Sequence, residues 1–208
     1  MDVRERLKNG IRKFQTEVYP EHREAYARAE AEPQKPHTLI VACADSRIDV
    51  DRITQSSPGE IFVTRNIGNM VPTYGEMLGG VSAVLEYAVS ALKVQHVVIC
   101  GHSDCGAMKA LMNPGSLAQM PTVRRWLRNA EAAMSVAREL QSHDDFLMSL
   151  TKQNVLMQMT HARTHPSVAG AVARNELIIS GWVYEIGSGN VLIYNEARNA
   201  FEPVLSEE

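Results

Sequence analysis

Three short apolar runs constrain this chain more than any other feature: HTLIVAC at 37–43, EIFVTRN at 60–66 and QHVVICG at 95–101. Each is too brief for a core helix, and the first and third are almost continuously apolar and rich in β-branched residues. That pattern belongs to strands buried on both faces, which need helices on either side of their sheet. Between the second and third runs lies YGEMLGGVSAVLEYAVSALK, whose length and Ala/Leu content favour a helix. Strand, helix and buried strand in that order predict a right-handed crossover and parallel pairing. ELIISGWVYEI, then GSGN and VLIY, reads as a further strand and a hairpin, and 121–164 is largely helical by composition.

At the other end, Val3, Leu7, Ile11, Phe14 and Val18 recur every three or four residues, the stripe of an amphipathic helix. A second, more polar helical stretch follows, and Pro33 and Pro36 end it. The stripe is expected to pack on the body or on a partner subunit. The expected architecture is therefore α/β: a mainly parallel central sheet flanked by helices, an N-terminal helical arm over 1–36, and a body over 37–208 that closes with a C-terminal hairpin or edge strand.

Composition narrows the function classes. Twenty-one Lys and Arg stand against 24 Asp and Glu, a net charge of −3, so no basic surplus points to nucleic acid. The longest apolar stretch, about residues 39–44, falls far short of the ~20 residues that span a bilayer. The opening segment MDVRERLKNGIRKF lacks the apolar core of a signal peptide, and the expected location is the cytoplasm. Three cysteines, Cys43, Cys100 and Cys105, are too few and too odd in number for a disulfide framework.

The chemistry gathers at two strand ends. The first strand finishes in Cys43-Ala44-Asp45-Ser46-Arg47, the third in Gly101-His102-Ser103-Asp104-Cys105-Gly106. Ligands of open parallel sheets bind beyond the carboxyl ends of the strands, so the two segments are expected to meet. A Cys₂His set suits zinc, and three protein ligands leave a fourth position open for catalysis. If the chain stays extended, Cys43, Asp45 and Arg47 project to one side at about 6.6 Å per step. Asp45 is then placed to orient a zinc-bound hydroxide, with Arg47 holding Asp45 ionised. Each piece alone has a plainer reading: a cysteine closing a buried strand is most often core, and Asp-x-Arg is usually a surface ion pair. Their convergence on adjacent strand ends is what carries the argument.

Cys-Ala-Asp-Ser-Arg followed by Gly-His-Ser-Asp-Cys-Gly resembles the β-class carbonic anhydrases. The similarity extends to PGEIFVTRNIGNMVP at 58–72, LEYAV at 85–89 and GWVYEIGSG at 181–189, and covers roughly residues 34 to 194. It implies reversible hydration of CO2 to bicarbonate and a proton on one Zn2+ per subunit. Cys43, His102 and Cys105 fall on the metal ligands, and Asp45 and Arg47 on the catalytic dyad. Gln34 falls on the substrate-binding amide, and Phe62, Ile67 and Tyr87 on the apolar lining of a narrow slot, which suits a small apolar substrate. The resemblance also implies a homodimer or homotetramer, with the slot at the subunit interface and the N-terminal helices embracing the partner.

Bicarbonate-inhibited members carry a tryptophan three residues before the first ligand cysteine, where this chain has Ile40, although Arg65 and Tyr184 resemble the rest of that site. The plant-like subtype is therefore expected, with activity that persists at neutral pH. Two alternatives stand beside CO2 hydration: hydrolysis of a related heterocumulene such as CS2 on the same scaffold, and a non-catalytic zinc- or thiol-sensing module. Of the remaining candidates, Cys100 is expected to be core and Asp104 to cap the following turn. His161 and His165 are expected to lie on the surface. Gly68 and Gly101 are expected to permit close backbone approach near the metal.

Overall fold

The computed structural model describes residues 2–76, 79–140 and 145–204. The arm consists of α1 (Val3–Lys13), one π-helical turn (Phe14–Val18) and α2 (Tyr19–Ala31). Asp2 caps α1 by accepting from the Arg4 amide. The body follows with β1 (Thr38–Cys43), α3 (Val50–Thr54), β2 (Ile61–Asn66), α4 (Gly80–Glu86), β3 (His96–His102), α5 (Gly106–Met112) and α6 (Pro121–Trp126). It continues through α7 (Glu131–Glu139), α8 (Phe146–Arg163), α9 (Pro166–Ala173), β4 (Ile178–Tyr184), β5 (Val191–Asn195) and β6 (Ala200–Pro203).

One six-stranded sheet runs in the order β2-β1-β3-β4-β5-β6. The first four strands are parallel, and β5 and β6 are antiparallel additions. The three apolar runs form strands within a residue of the expected bounds. β1 lies between β2 and β3, so the helix linking those two strands crosses over it. The expected C-terminal hairpin is β4–β5, and β6 extends it by a strand the sequence did not signal. The helices expected over 74–93 and 121–164 form as shorter pieces, and the parts at 77–78 and 141–144 lie outside the described residues.

Every residue of β1 is buried, as a strand covered on both faces requires. On one side Leu39, Val41, Val97 and Ile99 pack against α8 and α9 residues such as Val155, Met159 and Val168. On the other, Ile40, Ala42, Val98 and Cys100 pack with Ile48 and Val50. Gly101 matters to the first layer. A Cβ there would sit 2.7 Å from Val155 Cγ2, so the absent side chain is what lets α8 lie against β3. The close approach at Gly101 is made by a packed helix, one residue before His102.

The arm departs from this pattern. No residue of α1 is buried, and Val3, Leu7 and Ile11 are 72%, 66% and 57% exposed. The amphipathic stripe is real, but among the described residues none of α1 is buried against the body. Of the two expected positions, on the body or on a partner subunit, the first is not the one seen. Beyond it, Phe14, Tyr19 and Tyr26 cluster, the two tyrosines stacking at 5.4 Å between ring centroids.

Candidate active site

β1 and β3 are parallel neighbours in register, Ala42 beside Cys100, so Cys43 and His102 arrive at the same edge of the sheet. A tight turn then carries the chain from His102 to Cys105, which immediately precedes α5. The cluster is dry: Cys43, His102 and Cys105 are 5%, 1% and 1% exposed. Their ligand atoms all lie within 4.8 Å of one another.

The fit to a metal can be tested on His102. Its Nδ1 donates to the Ser103 carbonyl oxygen at 2.8 Å, which fixes the tautomer and leaves a lone pair on Nε2. That Nε2 is buried and has no hydrogen-bond partner. A buried acceptor is costly to leave unpaired, and a cation between it and two thiolates removes the cost. Tetrahedral zinc holds such ligands about 3.5–3.8 Å apart, a contraction of at most about 1 Å from the 4.8 Å within which they lie. Zinc therefore fits.

The thiols are already biased toward ligation. Cys43 is lowered to about 4, first because the Cys105 thiol donates to its sulfur, which outweighs the opposing effect of burial, and further by the Gly68 and Asp45 backbone N–H groups. Cys105 is pushed up because it holds the proton that Cys43 has given up, and burial adds to the effect. The pair keeps one proton, which a metal would displace. Gly68 makes this approach possible. Its φ of 77° is left-handed, and a Cβ there would lie 2.9 Å from both Ala107 and Met70. Cys100 plays no part: burial raises its thiol to about 12, and it packs in the opposite layer.

Asp45 and Arg47 form a bidentate pair, Nε to Oδ1 at 2.9 Å and Nη2 to Oδ2 at 2.7 Å. The extended path considered from sequence is not what aligns them. The chain turns after β1, with the Ile48 amide donating to the Asp45 carbonyl and the Arg47 amide to Asp45 Oδ1. An aspartate that bonds the backbone two residues on stabilises such a turn. Arg47 holds the Asp45 carboxyl well below the usual carboxylate range, and Asp45 Oδ2 lies 4.0 Å from His102 Nε2.

Some contributions were not legible from sequence. Arg65 reaches across from β2 and donates to the carbonyl oxygens of Cys43 and Asp45 at 3.0 and 2.6 Å, pinning the ligand segment. Its register position beside Ala42 was the available signal. Asp104 does not cap α5, which has no side-chain cap; it pairs with Arg47 and Lys109 instead. His165 is buried and shares a hydrogen bond with the Pro72 carbonyl, and His161 is half-buried against the Val71 carbonyl. Neither is the surface histidine expected. Both tie α8 and its end to the segment after β2.

Of the slot residues only Ile67 adjoins the cluster, between Asn66, the register partner of Cys43, and Gly68. Ile67 follows β2 beside Gly68, is 43% exposed, and its carbonyl accepts from Trp126 Nε1. Phe62 and Tyr87 meet each other, ring centroids 6.0 Å apart. But Phe62 lies four strand residues before Asn66, the partner of Cys43, or about 13 Å down the sheet. Gln34 is exposed in a groove with Arg28, His37 and Gly59.

Comparison with known proteins decides the family. The sequence model described as "Carbonic anhydrase" matches residues 38–191, which include the whole cluster and the dyad. The chain belongs to the β-class carbonic anhydrases. It is 45% identical to a carbonic anhydrase of Pseudomonas aeruginosa over 195 residues, covering 93% of this chain and 88% of the relative. Carbonic anhydrase 1 of Escherichia coli O157:H7 is 43% identical, with 95% and 91% covered. Among solved structures, the β-carbonic anhydrase CcaA superposes with a TM-score of 0.91 at 36% identity, covering 98% of this chain and 92% of that one. A Coccomyxa β-carbonic anhydrase in complex with acetazolamide gives 0.76 at 30% identity, with 89% and 83% covered. Zinc-dependent hydration of CO2 is the activity of this family, and the Cys-His-Cys cluster of this chain can hold the metal. Among the described residues no helix is long and apolar enough to cross a membrane.

Proposed function

We propose that Cys43, His102 and Cys105 hold the zinc of a carbonic anhydrase whose reacting oxygen is oriented by Asp45 and whose Asp45 is oriented by Arg47. The observation that carries this is the unpartnered, tautomer-fixed Nε2 of His102 within 4.8 Å of two buried thiols and 4.0 Å from an ionised carboxylate. Bound there, zinc supplies the Lewis acidity that ionises a water near neutral pH. Asp45 accepts a hydrogen bond from the attacking oxygen through Oδ2 and fixes its direction toward CO2. Arg47 keeps Asp45 charged and aimed. Arg65 holds the backbone from which Cys43 and Asp45 both project. A purely structural or thiol-sensing zinc site has no use for an ionised carboxylate locked beside it, which weighs against that alternative.

Gln34, Phe62, Ile67 and Tyr87 bind the substrate in this reading, and within one chain only Ile67 adjoins the ligand segment. The slot is completed in a homodimer or homotetramer, with the arm of residues 1–36 laid over a neighbouring body of residues 37–208. The bare apolar stripe of α1 supports this, as does a fold match to a tetrameric β-carbonic anhydrase from Sordaria macrospora at TM-score 0.71 and 25% identity, covering 91% of this chain and 92% of that one. Three unpaired cysteines, two of them needed as thiolates, suit the reducing cytoplasm. Ile40, 1% exposed in the core beside Val98, supports the plant-like subtype, because no aromatic wall stands at its position.

Asp45→Asn tests the central role. It is expected to leave one zinc per chain and to lower kcat/KM for CO2 hydration about 10- to 100-fold. Undiminished turnover at full zinc content would remove Asp45 from the mechanism.

A further inference from the structure

The ion pair at the site does not end at Arg47. A guanidinium has five N–H donors, and Asp45 takes Nε and one proton of Nη2. The far edge is taken by Asp104, 57 residues away in sequence. Nη1 donates to Asp104 Oδ2 at 2.8 Å, and Nη2 donates again, to the Asp104 carbonyl oxygen at 3.2 Å. Asp104 has a φ of 58°, a left-handed conformation that aspartate tolerates better than most residues. That backbone turn directs both its carbonyl and its carboxylate to one guanidinium. Its other carboxylate oxygen is held by the Lys109 ammonium. Lys109 lies on α5, where its own amide donates to the Cys105 carbonyl.

Charge thus alternates along Asp45, Arg47, Asp104 and Lys109. Arg47 and Asp104 are 43% and 51% exposed, and an exposed pair of that kind adds little stability. Geometry is where the contact counts. A half-exposed arginine with one partner samples several rotamers, and its partner carboxylate moves with it. An arginine gripped on both edges by backbone-fixed groups does not.

We propose that Asp104, backed by Lys109, is a positioning residue that locks the Arg47 rotamer and through it the direction in which Asp45 presents Oδ2 to the metal cluster. The inference rests on the role given to Asp45 above. If the grip is lost, Arg47 swings out and Asp45 is free to rotate the short way toward His102 Nε2, where a carboxylate is itself a competent zinc ligand.

Asp104→Ala, Asp104→Asn, Lys109→Met and Asp45→Asn test this, each prepared with zinc for CO2 hydration and with Co2+ for the visible spectrum. Asp104→Ala is expected to keep full metal occupancy and lose about three- to tenfold in kcat/KM. Its cobalt bands should move toward those of a carboxylate-ligated site. Asp104→Asn keeps an acceptor for Nη1 and should recover part of the loss, and Lys109→Met should lose less than Asp104→Ala. Wild-type turnover and an unchanged cobalt spectrum in Asp104→Ala, with Asp45→Asn impaired, would overturn the clamp. Faster turnover would overturn it too, by making Asp104 a competitor for Arg47. Loss of metal in both Asp104 variants would make it a support of the ligand turn instead. If Asp45→Asn itself is unimpaired, the failure lies with Asp45, and the clamp falls with it.

Discussion

The carboxyl edge of the sheet and the surface bearing the arm differ in how much one chain can finish alone. At the sheet edge, Cys43, His102, Cys105, Asp45 and Arg47 converge, each buried or held by at least two fixed partners. On the arm, Leu7 and Ile11 are exposed, and elsewhere Tyr87 is 49% exposed and Gln34 lies in a separate groove. The first region is built from strands whose register leaves no choice about where their ends arrive. The second has apolar groups in excess of what its own body covers, which is how a surface waiting for another copy looks. On the proposed reading, the metal site is assembled within the single chain and substrate capture is left to the assembly.

That contrast can be broken most severely at the ligands. Cys43→Ala or His102→Ala should empty the site and cost about a thousandfold or more in hydration, read by metal analysis and stopped-flow kinetics; an active, metal-free variant would dissolve the first region as the site. Next in size, charging the arm with Leu7→Glu and Ile11→Glu should shift the oligomer toward monomer and lower kcat/KM about tenfold or more. Zinc per chain should be unchanged, because no ligand lies on the arm. Sedimentation and metal analysis on one sample separate the two regions, and zinc lost together with the oligomer would merge them. Phe62→Ala should act more mildly, raising KM more than it lowers kcat, by about three- to tenfold; a pure kcat effect would argue that Phe62 is remote from CO2.

The smallest expected effect concerns acid stability. Asp45 titrates below its unfolded value of about 3.9, so the stability it contributes is fully present above that value and disappears as pH falls through the folded one. Asp45→Asn should therefore lower stability by about 1 kcal/mol or less near pH 7, since Arg47 is partly exposed. The difference should narrow below about pH 4, as followed by denaturant melts of the metal-free protein.

The two regions also differ in how legible they were. Continuous apolar runs dictated buried parallel strands, and parallel register dictated that the ends of β1 and β3 meet, so the coming together of Cys43, His102 and Cys105 followed from local pattern. The turn at Asp45 did not follow, because an extended path and an aspartate-stabilised turn both bring its carboxylate to Arg47. The contacts of Arg65 and Asp104 differ from the roles expected of them because their partners lie 22 and 57 residues away, beyond the reach of local pattern. His165 reads as a polar residue ending a helix, and only the packing of α8 against the segment after β2 buries it. The arm's stripe was plain, but periodicity says that a face will be covered and not by which chain.

The most direct test of the account is CO2 hydration by stopped flow on the zinc-loaded oligomer, with zinc per chain measured in the same sample. One zinc per chain and rapid hydration that persists at neutral pH is the predicted result. One zinc per chain with no hydration would contradict it, because the cluster would then be a metal site without the chemistry assigned to Asp45.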